Sequence, residues 1–262
     1  MLWNYRQERR RRRAFEKADA LQANGYPAAE FYRRVNPNTL LYLDNRIGEA
    51  MLATPAEMAA RASRLRSGAP LRLLNSGRLE PMKGAQDLVP IARKLAADGV
   101  DFELDIFGAG SLAGEIRDGI AAHGLEARVR LHAPVDFDTE LVPFARREAD
   151  LFLSCNRQSD PSCTYLESMG CGLPVAGYDN RMWKSLLEAS AAGWSASLGN
   201  AQGLASCLSR LAGRREEILT ASERALEFTR KHVFESEFAL RAEHMKAVLE
   251  AKPSSACGDR QP

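Results

Sequence analysis

The sequence predicts an α/β fold built on a doubly wound parallel sheet with helices on both faces. Strand-like and helix-like segments alternate from Leu71 to Ser197, and the strand-like segments are short apolar runs, which is typical of buried parallel strands. Glycines and polar residues recur where these strands end. In open parallel sheets ligands bind at that edge, so we expect a ligand site at the carboxyl ends of the strands.

The first fifty residues follow a different pattern. The elements predicted there are, in order, a helix over residues 1–17, a strand over 18–23, a helix over 28–35 and a strand over 40–44. A helix followed by one strand–helix–strand unit is an unusual start for a complete α/β domain. We therefore expect residues 1–53 to be the tail and linker of a preceding domain whose body is absent from this chain.

Residues 54–213 form the regular unit. Its predicted helices are 54–67, 85–97, 111–123, 138–147, 162–171, 181–192 and 202–212, and its predicted strands are 71–76, 102–107, 129–132, 149–155, 175–178 and 193–197. Residues 214–251 are expected to form two amphipathic C-terminal helices. Residues 252–262 are polar, and we expect a disordered tail there.

Composition excludes several classes of protein. The chain has 262 residues, 45% of them hydrophobic and 27% charged, and a net charge of +2, so its overall charge does not indicate a nucleic-acid partner. No apolar run suits a membrane span and no signal peptide is visible, so we expect a cytoplasmic protein. Cys155, Cys163 and Cys171 match no zinc spacing, and we expect no metal.

A run of five arginines, Arg9–Arg13, lies in the first predicted helix. The plainer interpretation is a solvated helix face. The alternative is that the run binds nucleic acid or anionic lipid.

One polar loop and the helix after it form the first candidate site. The loop Asn156–Pro161 follows the apolar run 149–155. We predict that Ser162 caps the next helix and that Gly172 ends it in the left-handed conformation. Free backbone N–H groups at a helix start bind anions. Glu167, about one and a half turns into the helix, could accept hydrogen bonds from hydroxyl groups of a ligand.

The loop after the first strand of the regular unit supplies two cations. Arg78 has a planar fork suited to phosphate oxygens and Lys83 supplies a point charge, while Gly77 leaves room for a ligand beside the backbone. With the helix start at Ser162, these residues indicate a multiply charged anion, and a diphosphate fits. The alternative is a surface loop with two solvated cations.

Three further features are weaker. Gly108 and Gly110 stand in a G-x-G-x-x-x-G spacing, which is not the dinucleotide fingerprint and predicts a tight turn with backbone contacts to a ligand. His132 lies at the end of a predicted strand. It is interpreted as a catalytic base, as a loop residue near the base of a nucleotide or as a surface residue. Asp160 either contacts a sugar hydroxyl or supports the turn before Pro161.

Together these motifs resemble a known family. They are Gly77-Arg78-x4-Lys83-Gly84, Phe107-Gly-Ala-Gly110, Ala149-Asp150 and Glu167-x4-Gly172-x-Pro174-Val175. They look like the C-terminal, donor-binding domain of retaining GT-B glycosyltransferases of family 4, the group 1 glycosyl transferases. The resemblance runs from Leu71 to Leu211. It implies a Rossmann-like domain there, with residues 1–53 as the end of an N-terminal acceptor domain and the last helices crossing back to it.

The resemblance also implies roles. Arg78 and Lys83 would be the catalytic cations, holding the diphosphate of a nucleotide-sugar donor without a metal or a cofactor. The implied donor-binding residues are Gly77, Gly108, Gly110, Ala133, Val135, Asp160, Ser162, Cys163, Thr164 and Glu167. The family usually has a second glutamate, and counting back from Glu167 that position falls on Ser159. We therefore expect residues 158–161 to contact the donor sugar in this variant.

The implied reaction is transfer of the sugar, with retention, to a sugar or lipid-linked acceptor. Because most of the acceptor domain is expected to be missing, we expect weak turnover from this chain alone. Two alternatives remain open at this point: a nucleotide-sugar epimerase of the same fold, and a non-catalytic nucleotide-binding module.

Overall fold

A computed structural model describes the backbone of residues 2–251 and the side chains of residues 6–251. The predicted tail, 252–262, lies outside the described residues. The helices are α1 Leu2–Lys17, α2 Tyr26–Arg33, α3 Pro55–Arg66, α4 Leu88–Ala97, α5 Ala113–Ala122, α6 Val142–Glu148, α7 Thr164–Gly170, α8 Arg181–Ser190, α9 Ala201–Ala212, α10 Arg215–Arg230 and α11 Phe234–Glu250. The strands are β1 Leu21–Asn24, β2 Thr39–Tyr42, β3 Leu71–Ser76, β4 Phe102–Phe107, β5 Val129–His132, β6 Leu151–Ser154, β7 Val175–Tyr178 and β8 Gly193–Ala196.

The main sheet confirms the predicted fold class. Its six strands have the order β5-β4-β3-β6-β7-β8, and every neighbouring pair is parallel. The chain moves outward from β3 to β5, returns to the centre and then moves outward again from β6 to β8. Strand order therefore reverses between β3 and β6, where Leu73 pairs with Leu151. Crevices at such switch points are where ligands bind in open α/β sheets.

Apolar cores lie on both faces of this sheet. One core joins β3 and β4 to α4 and α9, with Leu88, Ile91 and Leu208 fully buried. The other joins β6 and β7 to α6, α7 and α8, and its largest side chains include Tyr165 and Trp183, whose rings stack with centroids 5.3 Å apart. Both helical layers are therefore held by burial of apolar surface.

The N-terminal residues form a separate small sheet. Strands β1 and β2 are parallel to one another, and α11 packs against β2 through Arg241, whose guanidinium lies 4.2 Å above the Tyr42 ring. Helix α1 is exposed along the arginine run, and two of its arginines pair within the helix, Arg11 with Glu8 and Arg12 with Glu16. None of the helices within residues 2–251 combines the length and hydropathy needed to span a membrane.

Two helix predictions were wrong in detail. Helix α7 begins at Thr164, and Cys163, not Ser162, occupies its N-cap position without a side-chain cap. The reason is a local turn in which the Ser162 N–H donates to the Asp160 carbonyl oxygen. The helix predicted over 138–147 is present, but it begins as a π-helix, Phe137–Leu141, and continues as α6. Pro143 has no N–H to donate, so a regular α-helix cannot run through this segment.

Arg61 is the most unusual buried residue, with 1% of its surface exposed. Its guanidinium donates hydrogen bonds to the carbonyl oxygens of Ala145, Arg146, Ala149, Cys171 and Gly172. These carbonyls lie at and just after the ends of α6 and α7. Burial lowers the pKa of Arg61 to about 10, so the side chain is charged at neutral pH. Arg61 thereby joins α3 to the ends of both helices.

Close backbone packing shapes the loops at the carboxyl edge. A Cβ on Gly84, where φ is +70°, would lie 1.9 Å from the Cys155 carbonyl oxygen. A Cβ on Gly108 would lie 2.0 Å from the Gly77 carbonyl oxygen, and one on Gly110 would lie 2.4 Å from the Leu79 carbonyl oxygen. Only glycine allows these loops to stack.

Replacing Arg61 tests its role in joining the helices. We expect Arg61→Met to lower the free energy of unfolding by about 3–5 kcal/mol, because buried carbonyls lose their donors. The measurement is urea unfolding followed by circular dichroism. Arg66→Met is the control, since Arg66 forms an exposed ion pair with Glu216, and we expect a change below about 1 kcal/mol. Equal losses in the two variants would contradict this role.

The glycine contact is tested by a matched pair of alanine variants. We expect Gly84→Ala to destabilise the protein by at least about 2 kcal/mol, because it combines a steric overlap with a left-handed backbone. Gly114→Ala, on α5 with open space around the new Cβ, should be neutral or slightly stabilising. The measurement is thermal unfolding of both variants and the parent. A Gly84→Ala protein as stable as the parent would contradict the packing argument.

Candidate functional site

A cavity of about 410 Å³ opens at the carboxyl edge of the main sheet. Its lining includes Gly77 and Arg78 after β3, Gly108 after β4, Val135 after β5, Thr164 and Glu167 from α7, and Arg46 from the segment that follows β2. A smaller depression adjoins it and is lined by Arg78, Lys83, Asn156, Ser162 and Thr164, among others. The structure thus brings the predicted cations, the start of α7 and Glu167 to one place.

The two predicted cations differ in their surroundings. Arg78 is exposed, and within residues 6–251 it forms no ion pair, although its Nη2 lies 4.0 Å from the Met82 Sδ. Lys83 is half-buried and its Nζ donates to the Asp160 Oδ2 at 2.8 Å. An anion in the depression would therefore meet Arg78 directly and would share Lys83 with Asp160.

Asp160 is anchored in the loop rather than free. Its Oδ1 accepts a hydrogen bond from the Asn156 Nδ2 at 3.2 Å, and its Oδ2 accepts one from Lys83. Partial burial works to raise the pKa of Asp160, but the bonds from Lys83 and Asn156 outweigh it and lower that pKa. The carboxylate is consequently ionised at neutral pH and supports the loop before Pro161, one of the two interpretations left open by the sequence.

Glu167 is buried, with 6% of its surface exposed, and it is paired with Arg46. The Arg46 Nε lies 2.8 Å from Oε1 and its Nη2 lies 3.3 Å from Oε2, which is a bidentate fork. The hydrogen bond with Glu167 raises the pKa of Arg46, and its guanidinium lies 3.9 Å above the centroid of the Phe137 ring. Sequence analysis missed Arg46, because it stands 121 residues before Glu167 and no local motif contains it.

The remaining predicted residues lie around these spaces. Ser162 and Thr164 line the depression, and their hydroxyl oxygens are 2.9 Å apart. Gly110, Ala133, Asp160 and Cys163 are not part of the lining of either space within the described residues. Gly110 and Ala133 are exposed loop residues and Cys163 is half-buried.

His132 proves to be part of a structural cluster. Its Nε2 lies 2.7 Å from the buried Asp105 Oδ1, and its ring stacks on Phe107 with centroids 4.3 Å apart. Burial works to raise the pKa of Asp105, but hydrogen bonds from Arg130 and His132 outweigh it and lower that pKa. The His132–Asp105 pair stabilises the ends of β4 and β5. Phe107, on which His132 stacks, also lines the cavity.

Comparison with known proteins gives one match by sequence family. The model of the family described as "Glycosyl transferases group 1" matches residues 59–225. The amylovoran biosynthesis glycosyltransferase AmsK of Erwinia amylovora is 32% identical over 163 residues, which covers 57% of this chain and 38% of AmsK. The chain therefore matches well under half the length of this relative.

Solved structures share the fold. The sucrose-phosphate synthase of Thermosynechococcus elongatus superposes with a TM-score of 0.74 at 18% identity, covering 92% of this chain and 61% of that one. Alr3699/HepE of Anabaena, solved in complex with UDP, gives a TM-score of 0.71 at 16% identity, covering 89% of this chain and 64% of that one. The fold is thus the Rossmann-like domain of GT-B glycosyltransferases. Because the family model spans more than half of the residues, the chain belongs to the group 1 glycosyl transferases.

Proposed function

We propose that this chain holds the donor site of a glycosyltransferase that moves a sugar from a nucleotide-diphosphate sugar to an acceptor. The observation that supports this most directly is the convergence of Arg78, Lys83 and the start of α7 on one depression beside Glu167. Two cations beside the start of a helix suit a diphosphate. The cavity volume of about 410 Å³ also lies in the range of small-molecule sites.

In this proposal the cations act on the leaving group. Cleavage of the bond between the sugar and the diphosphate leaves negative charge on the phosphate oxygens. Arg78 and Lys83 would stabilise that charge as it develops, which is where electrostatic groups lower a barrier. Lys83 would exchange part of its contact with Asp160 for a phosphate oxygen, since a partly exposed ion pair costs little to rearrange.

The wider cavity would take the nucleoside. Glu167 would accept hydrogen bonds from the ribose hydroxyls, and the backbone near Ala133 and Val135 would contact the base. Gly108 would contribute backbone contacts where its loop stacks on the loop after β3. The residues 158–161 would contact the donor sugar, and the acceptor would be a sugar or a lipid-linked sugar.

Retention of configuration is part of the same proposal and comes from the family resemblance. It predicts that the product keeps the anomeric configuration of the donor, which nuclear magnetic resonance of the product would show. An epimerase would instead return an altered nucleotide sugar without an acceptor. Incubation with UDP-, GDP- and ADP-sugars followed by chromatography separates these reactions.

The phosphate assignment is tested by calorimetry. UDP is the first probe because the related Anabaena structure contains it, with GDP, ADP and pyrophosphate beside it. We expect Arg78→Ala and Lys83→Ala each to weaken binding of the diphosphate by about tenfold to a hundredfold, because each removes a charge-assisted hydrogen bond. Arg117→Ala, an exposed arginine on α5, changes the net charge equally and should leave affinity unchanged. Unchanged affinity in both site variants would refute the assignment.

A peripheral membrane contact through α1 remains a prediction. Residues 6–17 carry seven basic side chains and two acidic ones, and the helix is exposed there, so anionic lipid would attract it. We expect co-sedimentation with vesicles that contain phosphatidylglycerol at 50 mM salt, and loss of binding when Arg10 and Arg13 are replaced by Gln. Equal recovery with neutral vesicles, or no recovery with either, would refute the contact.

A further inference from the structure

Arg46 joins two distant parts of the chain at the cavity. It belongs to the segment between β2 and α3, yet its guanidinium forms the bidentate pair with Glu167 on α7. Both side chains line the wide cavity, and neither lines the depression that contains Lys83. The pair is therefore placed on the nucleoside side of the proposed site rather than at the phosphates.

The backbone on either side of Arg46 is held firmly. Asn45 is 2% exposed, and its Nδ2 donates to the carbonyl oxygens of Leu43 and His232. The Ile47 N–H donates to the Asn45 Oδ1, and the Ile47 side chain is fully buried. With its guanidinium also stacked on Phe137, Arg46 is preorganised, and it holds its fork on Glu167 before any ligand arrives.

Arg46 is the paired cation of Glu167. Among the described side chains, it is the only one that forms an ion pair with Glu167. The Glu167 side chain is 7% accessible and that of Arg46 is 61% accessible, so the carboxylate is buried while the guanidinium stays partly in solvent. Without Arg46, Glu167 would lose the two hydrogen bonds that fix its orientation.

We propose that Arg46 is a positioning residue for the nucleoside, which holds Glu167 in one orientation so that its remaining lone pairs accept the ribose hydroxyls. An ionised carboxylate has about four lone-pair positions; Arg46 occupies two of them, and the others are available to a ligand. This inference rests on the proposed function, and it separates two tasks: Arg78 and Lys83 bind phosphate, whereas Arg46 acts on the nucleoside through Glu167.

The test compares UDP with pyrophosphate in the parent, Arg46→Gln and Arg46→Lys. At pH 8 we expect Arg46→Gln to bind UDP about tenfold more weakly and pyrophosphate equally well. Pyrophosphate lacks the nucleoside, so a loss that appears with UDP alone assigns Arg46 to the nucleoside. Arg46→Lys, which keeps the charge but not the fork, should recover part of the lost affinity for UDP.

Arg64→Gln is the matched control. Arg64 also pairs with a buried carboxylate, since its Nε and Nη2 both donate to the Asp150 Oδ1, at 3.1 and 2.6 Å, but Asp150 lies at the amino edge of the sheet beside β6. This variant should lose stability while its affinities for UDP and pyrophosphate stay at the parent values. A general effect of removing an arginine from a buried carboxylate is thereby separated from an effect on the nucleoside.

Several results would overturn the inference. Equal or tighter UDP binding by Arg46→Gln would show that Arg46 blocks the site or does not contribute to binding. A parallel loss of UDP and pyrophosphate would place Arg46 at the phosphates. If the parent binds neither probe, the proposed function fails. The free energy of unfolding then decides the claim about Glu167 alone: the claim survives if adding Glu167→Gln to Arg46→Gln restores stability at pH 8, and fails if it does not.

Discussion

The buried guanidinium of Arg61 is the interaction on which the geometry of the site depends. The last carbonyl groups of a helix have no partner within the helix and carry the negative end of its dipole. In this fold α6 and α7 both end in the interior beside α3, and Arg61 satisfies carbonyls from both ends. The Ser222 hydroxyl on α10 also donates to the Gly172 carbonyl. The end of α7 is therefore fixed, and Glu167 lies one turn before it.

The sequence predicted the sheet more accurately than the helices around the site. Strands β3, β4, β5 and β7 begin and end at the predicted residues, because apolar runs and the glycines or polar residues that follow them mark strands locally. The start of α7 was misplaced because Ser162 enters a turn with Asp160, and hydrogen bonds between neighbouring residues outside a helix leave no signature in hydrophobic periodicity. Its end at Gly172 was predicted correctly, since φ of +71° there needs glycine.

Long-range pairs account for what sequence analysis missed. The cations Arg78 and Lys83 belong to one short loop and could be recognised together, but the partner of Glu167 comes from another part of the chain. The glycines illustrate a related difference. Gly108 and Gly110 were interpreted as a tight turn with backbone contacts to a ligand, whereas a Cβ at either position would first strike the loop after β3. Their spacing predicts that another group packs closely against the backbone there. It does not predict whether that group is a ligand or another loop of the protein.

The ion pairs of the site differ in how readily they can be exchanged. Lys83 and Asp160 are both partly exposed, with 19% and 39% of their side chains accessible, and such pairs contribute about 0–1 kcal/mol. A phosphate oxygen can replace Asp160 at little cost. The Glu167 side chain is only 7% accessible, whereas that of Arg46 is 61% accessible, but the two side chains meet in a bidentate fork. The Lys83 pair has one hydrogen bond and suits the binding of charge, whereas the Arg46 pair has two and is also stacked on Phe137, which suits it to holding a hydrogen-bond acceptor in place.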